Sequence, residues 1–236
     1  MKVQGDTTLQ TEVLEDLSEA VNYRAWLVAL TQPYLGARAI EIGSGTGDYA
    51  VAYADAGVRI TASEADPVRL AGLQTRFASD ERVDVRELAI PLDIDADYDA
   101  AVALNVLEHI PDHVEGLRSF ARLVRPGGAV VLIVPAFPIG MSKFDRAIGH
   151  QRRYRKATMR AALESAGLRV EVLRHVNGPG LVAWIVGMRL LRLQPGSGPV
   201  LRVWDGTVIP RIRRREQRKE PRFGQSILAV ARRPQA

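Results

Sequence analysis

Residues 37–50, ARAIEIGSGTGDYA, decide the fold, because they join an apolar, strand-like run to a turn that is rich in glycine. The apolar letters at 39–42 suit a buried strand. The three glycines allow a tight turn and let the backbone approach a ligand where a Cβ atom would intrude. Ligands of open α/β sheets bind beyond the carboxyl ends of the strands, which is where this turn falls. The stretch therefore predicts a strand, a ligand-binding loop and a helix over about 48–56.

The spacing of the glycines argues against a pyrophosphate ligand. The dinucleotide fingerprint is Gly-x-Gly-x-x-Gly, whereas here the third glycine comes one position early and Asp48 stands in its place. Glu41 precedes the first glycine, and an acidic residue there suits a ligand that presents an amino group. S-adenosylmethionine is such a ligand. For the glycines alone, a turn that binds no ligand is the alternative.

The composition suits one sizeable globular domain, since the chain has 236 residues of which 47% are hydrophobic. Cysteine is absent, which excludes disulfides and thiolate metal sites and makes a reducing cytoplasm the expected compartment. The opening MKVQGDTTLQTEVLEDL carries several acids and no continuous apolar core, so we do not expect it to be a secretory signal.

Much of the net charge of +5 comes from the run RIRRREQRK at 211–219. Such a run is usually a solvated helix face, and the functional alternative is contact with an anionic membrane surface or a phosphorylated substrate. Aromatic residues do not interleave with it, so nucleic acid is not an expected partner. The apolar run at 181–191 is too short for a membrane span and is broken by Arg189. It predicts a core or cap helix, with a wall over a hydrophobic substrate or a membrane-surface contact as alternatives.

Strand and helix patterns alternate along the chain, which predicts a parallel, doubly wound α/β sheet. A helical repeat covers Thr11 to Thr31. Asp66 before Pro67 is typical of an N-cap that opens a helix to about residue 78. Strands are predicted near 37–42, 58–63, 83–87, 98–104 and 129–135.

The second half of the chain carries a different pattern. The letters RPGG at 125–128 form a breaker between a helix over about 112–124 and the apolar strand that follows. Residues 136–155 are predicted to be irregular. A helix is expected near 157–166, and the segments 168–175 and 225–232 are expected to form an antiparallel pair at one sheet edge.

These motifs together resemble the class I S-adenosylmethionine-dependent methyltransferases. EIGSGTG matches the glycine-rich first motif of that family, and ITASEAD places Glu64 at the acidic position that holds ribose hydroxyls. YDAAVALNVLEHIPD at 98–112 and LVRPGGAVVLIVPA at 123–136 are similar to the fourth-strand and fifth-strand motifs. The resemblance implies a Rossmann-like, seven-stranded doubly wound sheet with an antiparallel terminal strand and a small helical cap. A narrower similarity, through LNVLEHI and GHQRRY, is to a bacterial small-molecule subgroup whose substrates are mostly unassigned.

The resemblance also implies which residues bind S-adenosylmethionine. The expected cofactor residues are Tyr23, Glu41, Gly43, Ser44, Gly45, Gly47, Glu64, Ala65, Leu88, Ala89 and Asn105. One departure concerns the adenine, because many family members carry an acidic residue after the third strand and this chain reads Arg86, Glu87, Leu88, Ala89. Either Glu87 supplies that contact in a shifted register, or the backbone of the next two residues does so alone. Tyr23 is expected to close over the cofactor in preference to Trp26.

Methyl transfer depends mainly on alignment, and a base helps where the acceptor atom must lose a proton. We expect His109, His150 and Tyr154 to be the catalytic residues. His109 could instead cap a helix, and the cluster at 150–154 could instead pin its loop through arginine hydrogen bonds. We expect His113 to be exposed, and a strand-end role for His175 and Asn177 is favoured over one in the pocket.

No metal site is predicted, and Ser44 lacks the frame of a hydrolase nucleophile. His109 and His113 are four positions apart, but their order is not HExxH, and Pro111 disrupts the helix that would align the two rings.

The expected function is a cytoplasmic S-adenosylmethionine-dependent methyltransferase acting on a small-molecule acceptor, either a natural-product intermediate or a lipid or sugar building block. One domain is expected over 1–236, with an N-terminal arm at 1–35 and cap segments at 136–155 and 178–222. Two alternatives stay open: a non-methylating reaction such as a cyclisation with the same cofactor, and a non-enzymatic partner docked peripherally on a membrane.

Overall fold

A computed structural model describes residues 19–92, 94–190 and 198–235, and in these ranges the chain forms a seven-stranded sheet. The strands are β1 (Arg38–Ile42), β2 (Arg59–Glu64), β3 (Val83–Glu87), β4 (Tyr98–Leu104), β5 (Val124–Pro135), β6 (Arg169–Val176) and β7 (Ser226–Arg232). Their order across the sheet is β3-β2-β1-β4-β5-β7-β6. Strands β1 to β5 pair in parallel, and β7 pairs antiparallel with both β5 and β6. The predicted doubly wound sheet with an antiparallel terminal strand is confirmed.

The sheet is covered on both faces, as the alternation of its buried side chains requires. Ala39 belongs to one hydrophobic cluster, while Ile40 and Ile42 belong to another on the opposite face. Because parallel strands are buried on both faces, they read as nearly continuous apolar runs. The same alternation places Glu41 on the face of Ala39, at the end of β1 where the glycine turn begins.

The α-helices are α1 (Val21–Thr31), α2 (Asp48–Asp55), α3 (Pro67–Arg76), α4 (His113–Leu123), α5 (Lys143–Ala147), α6 (Lys156–Ser165), α7 (Gly178–Trp184), α8 (Pro199–Val203) and α9 (Ile209–Arg218). The predicted N-cap of α3 is confirmed, because the Asp66 carboxylate accepts from the backbone N–H groups of Val68 and Arg69 at 3.0 Å. Helix α7 continues as a π-helix over Ile185–Leu190, and a second π-helix over Trp204–Val208 joins α8 to α9.

Three boundaries differ from the prediction. The arm helix begins at Val21 in the described residues, and the predicted part over 11–18 lies outside them. The breaker at 125–128 does not separate helix from strand, because β5 already starts at Val124 and absorbs it as an irregularity in the pairing with β4. Segment 136–155 is not wholly irregular, since it contains α5, whose start is capped by a reciprocal capping box between Ser142 and Asp145.

The last helices pack against the N-terminal helix α1, and the buried carboxylate of Asp205 ties the two together. It accepts hydrogen bonds of 2.8 Å from the backbone N–H groups of both Asn22 and Tyr23. The apolar run from 181 onwards is only partly buried, because Leu181 is buried while Val182 is 54% exposed. None of the helices in the described ranges combines the length and apolar character that a membrane crossing requires.

Candidate active site

A cavity of about 380 Å³ opens at the carboxyl ends of β1, β2 and β4, beneath the arm and the loop that follows β5. Most of the residues singled out from the sequence line it. They are Tyr23, Glu41, Gly43, Ser44, Gly45, Glu64, Ala65, Leu88, Asn105, His109 and His150. Gly47, Ala89 and Tyr154 are not among the lining residues.

Glu41 presents a buried carboxylate to this cavity. The residue is 2% exposed, and its Oε2 atom has no hydrogen-bond partner. Burial raises the pKa of Glu41 to about 8; a hydrogen bond from Ser44 lowers it, and the charge of Glu64 raises it further. Because an unpaired buried carboxylate is costly, this group is suited to a cationic partner that enters from the cavity.

Glu64 connects the end of β2 to the glycine loop. Its Oε2 atom accepts a 3.0 Å hydrogen bond from the backbone N–H of Gly45, and its Oε1 atom accepts from the backbone of Ala65 at 2.9 Å. Arg69, on the first turn of α3, lies 3.3 Å from Oε1 and is nearly buried. The carboxylate is thus held at the cavity wall, with lone pairs on Oε2 left for a hydroxyl donor.

Backbone conformation explains two of the predicted positions. Gly43 has φ of +68°, and an added Cβ atom would lie 2.9 Å from Cγ2 of Val106. Asn105 also adopts a left-handed φ, of +53°, and turns the chain into the cavity just after β4. Non-glycine residues in this region are uncommon, and Asn is one that tolerates it.

Gly47 allows two helices to pack closely and does not line the cavity. It forms the N-cap of α2 with φ of +86°. An added Cβ atom there would lie 2.8 Å from side-chain atoms of both Leu73 and Phe77. The glycine therefore lets α2 start close against α3, behind the loop.

Glu108, His109 and His150 meet at the far side of the cavity. The two imidazole rings are 4.7 Å apart between centroids, and Nε2 of His150 lies 3.7 Å from Oε1 of Glu108. Burial raises the pKa of Glu108 to about 7, while burial and the charge of His150 lower the pKa of His109 to about 3. Neither carboxylate oxygen of Glu108 has a hydrogen-bond partner, nor does Nδ1 of His109.

His150 is fixed by a buried carboxylate on the short helix α5. Its Nδ1 atom lies 2.8 Å from Oδ1 of Asp145, which also receives Nη2 of Arg153 at 2.7 Å. Burial by itself raises the pKa of Asp145, but the His150 hydrogen bond and the Arg153 charge bring it down to about 2. Arg152 donates to the backbone oxygens of Ile110 and Pro111. The loop is thus pinned by arginines, and His150 faces the cavity as well.

The remaining candidates lie elsewhere. The ring of Tyr154 is buried in the core, and its hydroxyl lies 3.0 Å from Nδ1 of His113. His113 is therefore half-buried, and the prediction that it is exposed is wrong. His175 is buried and stacks on Phe137 at 5.1 Å, outside the cavity wall. Asn177 caps α7 through its Oδ1 atom, which accepts from the backbone of Gly180 at 3.0 Å.

Several lining residues were not predicted. Trp184 and Phe144 close the cavity from the cap, with their rings 6.1 Å apart and with the Arg153 guanidinium 4.8 Å over the Trp184 ring. The apolar run at 181–191 was a signal for a wall, but it did not single out Trp184. Arg69 had a clearer signal, since it sits in the first turn of a helix whose N-cap and preceding acidic residue were both recognised.

The sequence matches known methyltransferases. Residues 13–173 match a family model described as a methyltransferase domain. A Mycobacterium bovis protein named uncharacterized methyltransferase is 33% identical over 109 residues, which is 45% of this chain and 42% of that protein. The ubiquinone biosynthesis O-methyltransferase of Xanthomonas oryzae is 35% identical over 103 residues, 41% of this chain and 42% of the relative. The matches thus span less than half the length of these relatives.

Solved structures share the fold. An S-adenosylmethionine-dependent methyltransferase from Mesorhizobium loti has a TM-score of 0.59 at 18% identity and covers 88% of this chain and 95% of its own. The [4+2]-cyclase SpnF has a TM-score of 0.59 at 20% identity, covering 91% and 81%. A geranyl diphosphate methyltransferase in complex with GPP and sinefungin has a TM-score of 0.62 at 14% identity and covers 88% of this chain and 77% of its own. At such identities the likeness shows the fold alone.

Proposed function

The chain belongs to the family of methyltransferase domains, and from that premise we propose that it transfers the methyl group of S-adenosylmethionine to a small-molecule acceptor. The observation that carries the proposal is Oε2 of Glu41, a buried carboxylate oxygen without a hydrogen-bond partner in a residue that lines the cavity beside the glycine loop. A ligand with an ammonium group would pair with it. The motifs that suggested the family are the ones that build this wall.

The residues of the cavity fit S-adenosylmethionine, the cofactor of this family. Glu41 would receive the ammonium group, and Glu64 would receive the ribose hydroxyls through its remaining lone pairs. Leu88 and Ile90 offer an apolar surface to the base. Glu87 is exposed and lies outside the wall, so the backbone route to the adenine is the one we favour.

When bound, the cofactor supplies a methyl group on a positively charged sulfur that is already an activated leaving group. What the chain must add is alignment of the acceptor and exclusion of water. Phe144 and Trp184 cover the cavity and serve the second purpose. His109 and His150 line the acceptor side, and we propose that they act at the acceptor atom. Tyr154 is left out of this proposal, because its hydroxyl is engaged by His113.

The acceptor we would test first carries a hydroxyl group. His150 lines the acceptor side with its Nδ1 atom held by Asp145, and the Nε2 lone pair that this leaves suits an acceptor atom that must lose a proton. A relative in Xanthomonas bears the name of an O-methyltransferase in ubiquinone biosynthesis, which supports the same choice. Natural-product, lipid and sugar intermediates with hydroxyl groups form the proposed substrate class, and the absence of cysteine supports the cytoplasm as compartment.

Calorimetry with S-adenosylmethionine and S-adenosylhomocysteine tests the cofactor part of the proposal. Binding of both is expected, and absence of binding to the folded protein would contradict it. A cyclisation remains the second candidate, because a protein with this fold is named as a [4+2]-cyclase. In that case the chain would bind the cofactor, while no S-adenosylhomocysteine would form with any acceptor it converts.

A second surface is proposed to contact an anionic membrane. Arg211, Arg214, Arg215 and Arg218 are exposed on α9. Val200 and Val203, on α8 of the same helical rod, are 85% and 63% exposed. Basic and apolar side chains together suit the headgroup region of a bilayer, which would bring a lipid-like acceptor near the cavity.

A further inference from the structure

We propose that Glu108, His109 and His150 form a binding site for a divalent transition-metal ion of the Zn²⁺ type, at the acceptor side of the cavity. One ligand atom from each of the three residues lies within 4.8 Å of the others. Ligands at about 2.0–2.2 Å from a tetrahedral Zn²⁺ ion stand roughly 3.5 Å apart. The 3.7 Å between Nε2 of His150 and Oε1 of Glu108 is close to that spacing.

The strongest sign is that the site's polar atoms have no partners. Glu108 is fully buried, and neither of its carboxylate oxygens accepts a hydrogen bond. Nδ1 of His109 is also buried without a partner. Buried polar groups in folded proteins are nearly always paired, so three orphaned atoms in one place call for a ligand that contacts them together.

The charges around the site leave room for a cation. Arg153 pairs with Asp145 at 2.7 Å and Arg69 pairs with Glu64 at 3.3 Å, while the charge of Arg153 also acts on Glu108 and that of Arg69 on His109. Within 4.0 Å, the described part of the chain brings one basic group to Glu108, Nε2 of His150 at 3.7 Å. A divalent ion would neutralise Glu108 and would not need to displace an existing ion pair.

His150 is oriented as metal-binding histidines usually are. Asp145, held by Arg153 and the hydroxyl of Ser142, accepts from Nδ1 of His150 at 2.8 Å and so leaves a lone pair on Nε2. Such outer partners fix the ring orientation of histidines that bind metals. Nδ1 of His109 is buried and has no hydrogen-bond partner, so its lone pair is available to an ion at this point.

The ligands come from two segments that are joined by the backbone. Glu108 and His109 belong to the 3₁₀ turn Leu107–His109 after β4, and the backbone N–H of Gln151 donates to the carbonyl oxygen of Glu108 at 2.9 Å. Two imidazoles and one carboxylate favour zinc, iron, cobalt or nickel over magnesium and calcium, which prefer oxygen ligands.

The role of the ion rests on the proposed function, although the site does not. Three protein ligands leave coordination positions open. An acceptor with two adjacent oxygen atoms, such as a catechol or a hydroxy-carbonyl compound, could fill them and be held beside the transferred methyl group. His109 and His150 would then act as ligands, and substrates with a single isolated hydroxyl would be poorer acceptors.

Cobalt is a suitable probe, because Co²⁺ bound by nitrogen and oxygen at low coordination number gives visible absorption bands. Tag-free protein is stripped with a chelator and titrated with Co²⁺, and we expect bands that saturate at one ion per chain. Glu108→Gln and His150→Asn should remove them. Asp145→Asn should weaken Co²⁺ binding by roughly 10- to 100-fold, as loss of an outer partner does. His113→Asn, a change at a nearby histidine outside the cluster, should keep the bands.

Thermal unfolding without Co²⁺ shows which variants remain folded, and S-adenosylhomocysteine affinity is measured on the same samples. Absence of bands in the folded wild-type protein, or unchanged bands in folded His150→Asn and Glu108→Gln proteins, would overturn the metal site. Bands without S-adenosylhomocysteine binding would keep the metal site and contradict the proposed function. Binding of S-adenosylhomocysteine without Co²⁺ bands would contradict the metal site and leave the proposed function standing.

Discussion

The backbone N–H of Gly45 donates a 3.0 Å hydrogen bond to Oε2 of Glu64, which ties the glycine loop to the end of β2. Gly45 adopts a left-handed φ of +57° to make this contact. The loop and the carboxylate therefore support each other before a ligand binds. A side chain at position 45 would meet both a strained backbone and an acidic wall.

Gly45→Asp should abolish measurable binding of S-adenosylhomocysteine. The new carboxylate would stand beside Glu64 in a cavity that also contains Glu41, and like charges placed together cost several kcal/mol, or more than about 100-fold in affinity. Gly57→Asp is the matched control, since Gly57 also has a left-handed φ, of +83°, but no atom lies within 4 Å of an added Cβ. Equal calorimetric affinities for the two variants would contradict the assignment of the loop.

Glu41→Gln should change both ligand affinity and the pH dependence of stability. Loss of a charge-assisted hydrogen bond predicts S-adenosylhomocysteine binding that is weaker by roughly 10- to 100-fold. The control Glu87→Gln changes an exposed carboxylate outside the cavity wall and should leave affinity unchanged.

The stability effect has a definite sign. Burial raises the pKa of Glu41 from 4.5 to about 8. Between these values the folded protein holds a proton that the unfolded chain releases, so the free energy of unfolding falls as pH rises, by at most about 1.4 kcal/mol per pH unit. In the variant this part of the slope is absent. Urea denaturation of the ligand-free proteins between pH 4.5 and pH 8 should show the variant gaining stability relative to the wild type.

The first part of the chain could be predicted from sequence because its signals are local. A short apolar run defines β1, Asp66 and Pro67 define the start of α3, and the position of Glu64 follows from the end of β2. The role of Gly47 could not be predicted in this way. It depends on Leu73 and Phe77, which reach it only once α2 and α3 have packed together.

The surroundings of the residues proposed as catalytic could be predicted from sequence only in part, for a similar reason. Tyr154 adjoins Arg153 in sequence, but a single parallel bridge between Ala136 and Tyr154 makes this segment extended, and neighbouring side chains then point to opposite sides. Arg153 faces the cavity, while Tyr154 enters the core. The partnership of His150 with Asp145 depends on the short helix α5, for which the sequence carried no clear periodic signal.

Asp205→Ala should lower both stability and cofactor affinity. The carboxylate caps the start of α1 by accepting from Asn22 and Tyr23, and loss of such a cap costs about 1–2 kcal/mol. Because Tyr23 lines the cavity, S-adenosylhomocysteine should also bind more weakly. Asp112→Ala removes the cap of α4, a 3.0 Å bond from the backbone of Glu115, and should cost similar stability without loss of affinity. Equal S-adenosylhomocysteine affinities for the two variants would show that the arm does not contribute to the binding site.

Arg153→Met should destabilise the protein far more than Arg152→Met. Arg153 is 6% exposed and pairs with the buried Asp145, and breaking such a pair costs about 3–5 kcal/mol. Arg152 donates to the backbone carbonyl oxygens of Ile110 and Pro111, and loss of these bonds should cost about 1 kcal/mol. Adding Asp145→Asn to Arg153→Met should restore part of the stability, because no uncompensated charge remains. Denaturant midpoints that fall equally for the two arginines would contradict this account.

Replacing Arg211, Arg214, Arg215 and Arg218 with Gln should abolish flotation with phosphatidylserine vesicles at low salt. Each basic residue near an anionic surface contributes about 1 kcal/mol, so four changes predict a loss of roughly 1,000-fold in partitioning. A control with Gln at Arg59, Arg118, Arg125 and Arg160 alters net charge equally, but these residues already pair with carboxylates on other parts of the surface. The control variant should still float with the vesicles, and its flotation should weaken when salt is added. If both variants lose flotation equally, net charge explains the effect and α9 is not a membrane-binding face.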